Sequence, residues 1–505
     1  MKITVYDGAT TIGGNKIYVE ENDKGVFLDF GMNFAKYSQY FQEFLTERSG
    51  RGIHDLIHLN LIPKINVYRK DLIPSDLDVS SYPRLNVEAV LLSHAHMDHC
   101  GNIGLLSEDI AIVTSPVSLA ILKALRDSSQ AKIGSEIAYF SPKAPQEDGR
   151  YLKSKSGNYV GRKFVCTSEF SDDLMEFISS RPGTKGIVDG EVSHISDTAL
   201  PFEVRAFEVD HSIYGANAYI IYGDVAVSYT GDLRLHGRNA AKTKEFVKKS
   251  RDARVLIIEG TRTSREDVNE SEKMVFENCL RAVEESKGIV IADFSPRNFE
   301  RLETFLKIAR KTGKELVVTA KDAYMLHAIE CADGACRLGD ARIYYEIKDR
   351  SRAKWETEIV MKKWGEKFVD PAEISRNPEN YILCFSFYDM KHLLDIKPES
   401  GAYIYSSSEA FSEEQEFDFL RLHHWLNEFN LKVYGFKMVL REGKLAPEFI
   451  KGYHASGHAS KEDLRWIIEQ IDPDIVIPVH TTSHEWFVEN FEGVVVLEDG
   501  GSVEV

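Results

Sequence analysis

The chain has 505 residues but only six cysteines, and no two of these form a Cys-x-x-Cys pair. Cys331 and Cys336 come nearest, and without a second pair they do not make a thiolate metal clip. The cysteines read instead as free thiols in a reducing compartment. Cys100 reads as packing. No stretch approaches the roughly 20 apolar residues of a membrane helix. The opening Met1–Tyr6 lacks the apolar core of a signal peptide. A cytoplasmic protein with no membrane partner is expected. Positive charge is also short: 62 Lys and Arg stand against 79 Asp and Glu, a net charge of −17. That excludes a chain that coats nucleic acid through a bulk positive field, though a local basic groove stays open. Two basic runs, Arg238–Arg254 and Lys307–Lys314, have solvated helix faces as their commoner meaning. Repeats and low-complexity segments are missing too, which leaves an ordinary globular chain too long for one core.

What the chain does have is the string Ser93-His94-Ala95-His96-Met97-Asp98-His99, directly after the apolar run Val87–Leu92. Imidazole and carboxylate suit zinc and related divalent ions, and an open position on such an ion activates water. Two histidines at i and i+2 could be chance. Three histidines and an aspartate within six residues at a strand end point to metal-dependent hydrolysis.

The pattern recurs. Val204–Val209 leads to Asp210-His211, Val225–Tyr229 to Gly231-Asp232, Val255–Ile258 to Glu259, and Ile475–Val479 to His480. Ligands at adjacent strand ends come close in space, so these segments describe one site. The first 30 residues read as antiparallel strands broken by Gly13-Gly14-Asn15 and Asp23-Lys24-Gly25. Between Glu259 and about residue 445 the buried runs Ile289–Ala292, Leu316–Thr319, Tyr381–Phe385 and Ala402–Tyr405 alternate with helical segments such as Asn298–Lys311 and Glu414–Asn430. That rhythm predicts a parallel α/β sheet inserted into the first domain. Residues 126–200 show no assignable pattern and read as an embellishment.

These residues resemble the metallo-β-lactamase superfamily, and the later ones narrow the match to its β-CASP branch. The resemblance implies an αββα sandwich, residues 1–262 and 446–505, with a β-CASP α/β domain at 263–445. It implies two zinc ions per chain, with manganese or magnesium as alternatives. His94, His96 and His211 would hold one, and Asp98, His99 and His480 the other. Asp232 would bridge them, and Asp29 in Leu28-Asp29-Phe30-Gly31 would support the site from behind. Glu259, and His458 in Ser456-Gly457-His458-Ala459-Ser460, match two further β-CASP elements. The catalytic set is then Asp98, His458, Glu259 and Asp29. Among β-CASP nucleases the segments are most similar to RNase J. Ser406 and Ser407, in Tyr405-Ser406-Ser407-Ser408-Glu409, loosely match a phosphate loop of that family. Ser456, Gly457 and His458 are the other candidates for substrate phosphate.

The chemistry of the residues agrees with a phosphodiesterase. A phosphodiester is an anion, so attack needs an activated nucleophile and charge screening, which two metals supply through a bridging hydroxide. Asp232 has two oxygens to bridge with. His458 would donate a proton to the leaving oxygen, and Glu259 would orient either His458 or a metal-bound histidine. Ser460-Lys461-Glu462-Asp463 reads as a capped helix start just after His458, where free N–H groups favour phosphate. The resemblance implies a ribonuclease acting on single-stranded RNA, 5′→3′ with endonuclease activity as an addition, with DNA as an alternative substrate and a homodimer as an assembly. The competing readings are an endonuclease similar to the cleavage and polyadenylation specificity factor and a small-molecule metallohydrolase on the same fold.

Overall fold

The computed structural model describes residues 1–42, 45–129, 133–265, 270–407, 413–441 and 443–505, and the side chains of 413–417 are outside that description. Alternation of apolar residues builds two sheets with a shared face. The larger has eight strands in the order Glu191–His194, Lys163–Cys166, Ala111–Thr114, Val87–Leu91, Lys24–Leu28, Lys16–Glu21, Lys2–Asp7 and Gly501–Glu504. The smaller has five, in the order Glu203–Glu208, Asn217–Tyr222, Ala226–Tyr229, Val255–Glu259 and Ile475–Val479. Successive side chains on a strand point to opposite faces. Val26, Leu28, Ala89 and Leu91 therefore meet Tyr219, Ile221, Val227, Ile257 and Ile477 in the layer between the sheets. Phe27 and Val90 point the other way, onto residues of the helix Pro116–Ser128. Ile220, Leu256 and Ile258 pack on Phe246 and Val247 of the helix Ala240–Lys249 and on Leu464, Ile467 and Ile468 of the helix Lys461–Ile471. The result is a metallo-β-lactamase-type αββα sandwich.

The chain leaves the smaller sheet after Val255–Glu259 and rejoins it at Ile475–Val479, paired in parallel with Glu259 opposite Val479. Between them lies a seven-stranded sheet whose pairings are all parallel. Val290, Ala292, Val318 and Ile404 cover one face together with residues of the helices Glu272–Glu285, Phe299–Thr312 and Ala320–Asp333. Ile289, Ile291, Leu383 and Tyr403 face Phe419, Leu422 and Leu426 of the helix Glu413–Glu428. Three of its strands, Arg342–Tyr344, Phe368–Val369 and Leu431–Tyr434, are too short to show in the sequence pattern.

Residues 126–200 are more than decoration. Lys163–Cys166 and Glu191–His194 extend the large sheet as parallel strands. Both basic runs lie on solvated faces: Lys244, Lys248 and Lys249 are exposed opposite buried Phe246, and Lys307, Arg310 and Lys311 are exposed on Phe299–Thr312. Among the described residues no helix is long and apolar enough to cross a membrane.

Candidate metal centre

Ala226–Tyr229, Val255–Glu259 and Ile475–Val479 run parallel and adjacent, so Asp232, Glu259 and His480 leave the sheet at one edge. Val87–Leu91 of the facing sheet delivers Ser93–His99 to the same edge. Asn217 N–H donates to the Ser93 carbonyl at 2.8 Å and ties the two sheets together there. Two glycines make room for the motif loop. A Cβ on Gly31 would stand 1.6 Å from the Asp98 carbonyl oxygen, and one on Gly13, whose φ is +83°, would stand 2.7 Å from Asp98 Cβ.

The structure brings the sequence-derived ligands into two groups. His94, His96 and His211 form one, and Asp98, His99, Asp232 and His480 the other. Asp232 lies between them. Its Oδ2 is 3.1 Å from His99 Nε2, 3.7 Å from His94 Nε2 and 3.9 Å from His211 Nε2, and its Oδ1 is 3.7 Å from His480 Nδ1.

The outer nitrogens show how each ring is held. His211 Nδ1 donates to the Gly457 carbonyl at 2.6 Å. His99 Nδ1 donates to Asp29 Oδ2 at 2.6 Å. His94 Nδ1 lies 3.0 Å from Ser93 Oγ, whose own proton goes to Asp29 Oδ2 at 2.7 Å. Tyr229 donates its phenol proton to the same Asp29 oxygen at 2.6 Å, and Ser93 N–H donates to Oδ1 at 2.7 Å. A neutral imidazole has one N–H. With it committed outward on His94 and His211, the inner nitrogen is a lone pair; at His99 burial favours the neutral ring, but the Asp232 and Asp29 carboxylates outweigh it and raise the pKa well above the ordinary histidine range.

Those lone pairs face one another. His96 Nδ1 is 2.9 Å from His94 Nε2 and 3.2 Å from His211 Nε2. Burial, reinforced by the neighbouring imidazoles, pushes His94 and His96 well below the ordinary histidine range, and burial brings His211 down to about 4. All three are neutral at pH 7. His99 Nε2, Asp232 Oδ1 and both ring nitrogens of His480 are buried with no hydrogen-bond partner among the described residues. Converging lone pairs and orphaned carboxylate oxygen repel one another unless a cation sits among them, so these residues fit divalent metal. Asp29 and His480 have φ of +57° and +53°. Left-handed backbone is uncommon outside glycine, although Asp and His adopt it more readily than most residues.

Beside the metal groups lies a second pair. Glu259 is buried and accepts from Leu233 N–H at 3.2 Å, from the Thr261 hydroxyl at 2.6 Å and from His458 Nδ1 at 3.1 Å. Burial lowers the pKa of His458, but the Glu259 and Asp232 carboxylates outweigh it and raise it to about 9. Burial raises Glu259, and the His458 charge more than reverses this. His458 Nδ1 is also 3.8 Å from Asp232 Oδ2, so the pair borders the metal groups.

The candidate phosphate residues divide, with His458 and Gly457 at the metal groups and Ser406 engaged by other partners. Ser406 is fully buried, and its hydroxyl is committed to Arg301 and the Tyr453 carbonyl, so it has no free face for a phosphate. The buried Arg301 side chain, invisible to a sequence motif, is what takes it. Ser407 is half-buried, and Ser408 and Glu409 lie outside the described residues. Ser456 and Gly457 support the site through their carbonyls: Ser456 accepts from Arg234 at 3.0 Å and from His236 at 2.9 Å, and Gly457 holds His211. His484 donates to the Ala9 carbonyl at 2.7 Å, and His454 Nδ1 is 3.4 Å from the Ser406 carbonyl. Cys100 packs in the core.

Sequence reasoning missed three contributors. Tyr229 ends the strand before Asp232, where an aromatic reads only as core. Arg262 donates to the His458 carbonyl at 3.1 Å. Arg297, in a turn after the strand Ile289–Asp293, donates to the Ala95 carbonyl at 3.0 Å. Neither arginine has a pattern that marks it.

Comparison with known proteins places these features in a family. Residues 66–270 match the metallo-beta-lactamase superfamily model, and residues 444–485 match the Zn-dependent metallo-hydrolase RNA specificity domain. The chain is 22% identical to Ribonuclease J of Pyrococcus abyssi, over 95% of this chain and 89% of that protein. It is equally 22% identical to Ribonuclease J of Methanocaldococcus jannaschii, over 95% of this chain and 91% of that one. A crystal structure of a protein of unknown function from Enterococcus faecalis V583 superposes with a TM-score of 0.69 at 22% identity, covering 100% of this chain and 99% of the other, and so shares the fold. The chain thus carries a metallo-beta-lactamase superfamily region followed by a Zn-dependent metallo-hydrolase RNA specificity region, and over most of its length it is similar to Ribonuclease J, consistent with the RNase J-like β-CASP branch.

Proposed function

We propose that this protein is a metal-dependent ribonuclease that hydrolyses phosphodiesters of single-stranded RNA, working 5′→3′ from an end with endonucleolytic cleavage as a second mode. The observation that carries the reading is the junction at Asp232, where the two ligand groups and the His458–Glu259 pair meet within 4 Å. The Ribonuclease J relatives, which match over most of the chain, support RNA as substrate.

Two divalent cations, zinc or else manganese or magnesium, would be held by His94, His96, His211 and by Asp98, His99, His480, with Asp232 shared; bound there they supply Lewis-acid charge and lower the pKa of water. The protein residues do the remaining work. Asp29 fixes His99 directly and His94 through Ser93, so both present Nε2 inward. His458 holds a proton at neutral pH because Glu259 accepts from Nδ1. Its Nε2–H is then the donor for the leaving oxygen, which departs as a hydroxyl. The inserted domain walls one side of the site through Arg297.

The test is a cleavage assay with end-labelled single-stranded RNA carrying a 5′-monophosphate or a 5′-triphosphate, alongside a circular RNA. Mononucleotides released first from the 5′ end, with dependence on the end group, agree with the reading. Cleavage of circular RNA with no dependence on the end favours a pure endonuclease. Turnover of a small ester with RNA untouched removes the nuclease reading.

A further inference from the structure

The strand Ile289–Asp293 of the inserted domain ends in a turn that carries Arg297 across to the other domain. There its Nη1 donates to the carbonyl of Ala95, the residue between His94 and His96. An arginine has five N–H donors in a planar fork. One is used here, and among the described residues no other hydrogen bond or ion pair engages the Arg297 fork. The residue is only partly buried. It sits close enough to interact electrostatically with His96 and Asp98, one member of each ligand group.

This placement is hard to explain as structure alone. The carbonyl of Ala95 needs only a neutral donor, and a cation next to a site built for two more cations is repelled by them. The buried arginines nearby are treated differently. Arg234 has Asp210 and Glu300, and Arg301 has Glu272, as carboxylate partners. Arg297 lacks one within ion-pair distance among the described residues. A guanidinium with open donors beside a dication site matches an anion that arrives with the substrate.

We infer that Arg297 is a catalytic residue whose free guanidinium N–H groups bind a non-bridging oxygen of the scissile phosphate, so that the inserted domain itself contributes to the reacting centre. The inference rests on the nuclease reading above. It also narrows the substrate class. An anionic phosphodiester gains this contact and a neutral ester does not.

The experiment compares wild type, R297A and R297K on a single-stranded RNA and on the same oligonucleotide with one methylphosphonate at the scissile position, where a methyl group replaces the charged oxygen. Metal content and thermal midpoint are measured for each protein. A charge-assisted hydrogen bond contributes about 1.5–3 kcal/mol, so R297A is expected to cut phosphodiester kcat/KM by about 10- to 100-fold. R297K should recover part of this because it keeps the charge. On the methylphosphonate, wild type and R297A should be equally slow, with metal content unchanged throughout. If wild type cleaves RNA and R297A matches it within about twofold, the inference falls and the nuclease reading stands. Equal loss on both linkages, or loss of metal in both variants, makes Arg297 a prop for the motif loop and overturns the inference. If metal-loaded wild type cleaves no RNA at all, the nuclease reading falls and takes the inference with it.

Discussion

Replacing Asp29 by asparagine is the sharpest perturbation of the metal centre, because it removes a charge without removing volume. Asparagine also tolerates the left-handed backbone at this position, where φ is +57°, so the main chain has no reason to move. The carboxylate accepts four hydrogen bonds: Ser93 N–H on Oδ1, and the Ser93 hydroxyl, His99 Nδ1–H and the Tyr229 hydroxyl on Oδ2. The amide nitrogen must occupy one of the two oxygen positions. At Oδ1 it opposes the Ser93 backbone N–H, which cannot turn away. At Oδ2 it opposes His99, which relieves the conflict by shifting its proton to Nε2, the atom that faces Asp232. Either outcome weakens the ligand set. Losing such an outer partner typically costs 10- to 100-fold in metal affinity, or about 1.4–2.7 kcal/mol. Competition titration of zinc against a chelator measures this directly, and long-range proton–nitrogen NMR of the metal-loaded protein reports whether His99 Nδ1 still carries its proton. The D29N protein should fold, bind metal at least tenfold more weakly, and show an altered His99 ring. Unchanged affinity with His99 still protonated on Nδ1 would refute the argument that Asp29 sets the ligand tautomer.

Two further outcomes follow from buried charge. In the metal-free protein His458 should titrate near pH 9, and E259Q should move that midpoint towards the ordinary value near 6.5, as read by NMR. Because the folded pKa is raised, the stability from charged His458 is fully present below about pH 6.5 and fades as pH rises through about 9, a slope that E259Q should lack in thermal unfolding. Arg234 joins the two domains: its fork reaches Asp210 of the sandwich and Glu300 of the inserted domain, and it holds the Ser456 carbonyl at 3.0 Å. R234M leaves buried carboxylates without their partner and should destabilise the protein by about 3–5 kcal/mol, seen as a lower thermal midpoint; an unchanged midpoint would mean the cluster contributes nothing.

The parts of this molecule legible in its sequence are those where chemistry and periodicity coincide. Val87–Leu91 is apolar apart from Glu88, and the ligand types that follow it have few other reasons to cluster. The same holds at Asp232, three residues past the strand Ala226–Tyr229, and at His480, directly after the strand Ile475–Val479. Where that coincidence fails, so does the reading. Lys163–Cys166 and Glu191–His194 are four residues long with charged starts, and their role as strands comes from pairing with Ala111–Thr114 and with each other. Ser406 looks like a phosphate contact by type, but the buried Arg301 decides its fate, and that contact spans 105 residues. Arg297 has no local signal because its meaning lies in the carbonyl it reaches, 202 residues away.

The central claim is that the ligand groups meeting at Asp232 form a metal centre that cleaves RNA. The most direct measurement follows cleavage of one labelled single-stranded RNA by the metal-loaded wild type and by D232N, with the metal content of each preparation determined in parallel. The account predicts about two metal ions and cleavage in the wild type. It predicts loss of cleavage, with reduced metal and a retained fold, in D232N. A loaded wild type that leaves the RNA intact, or a D232N protein that cleaves as well as wild type, would contradict it.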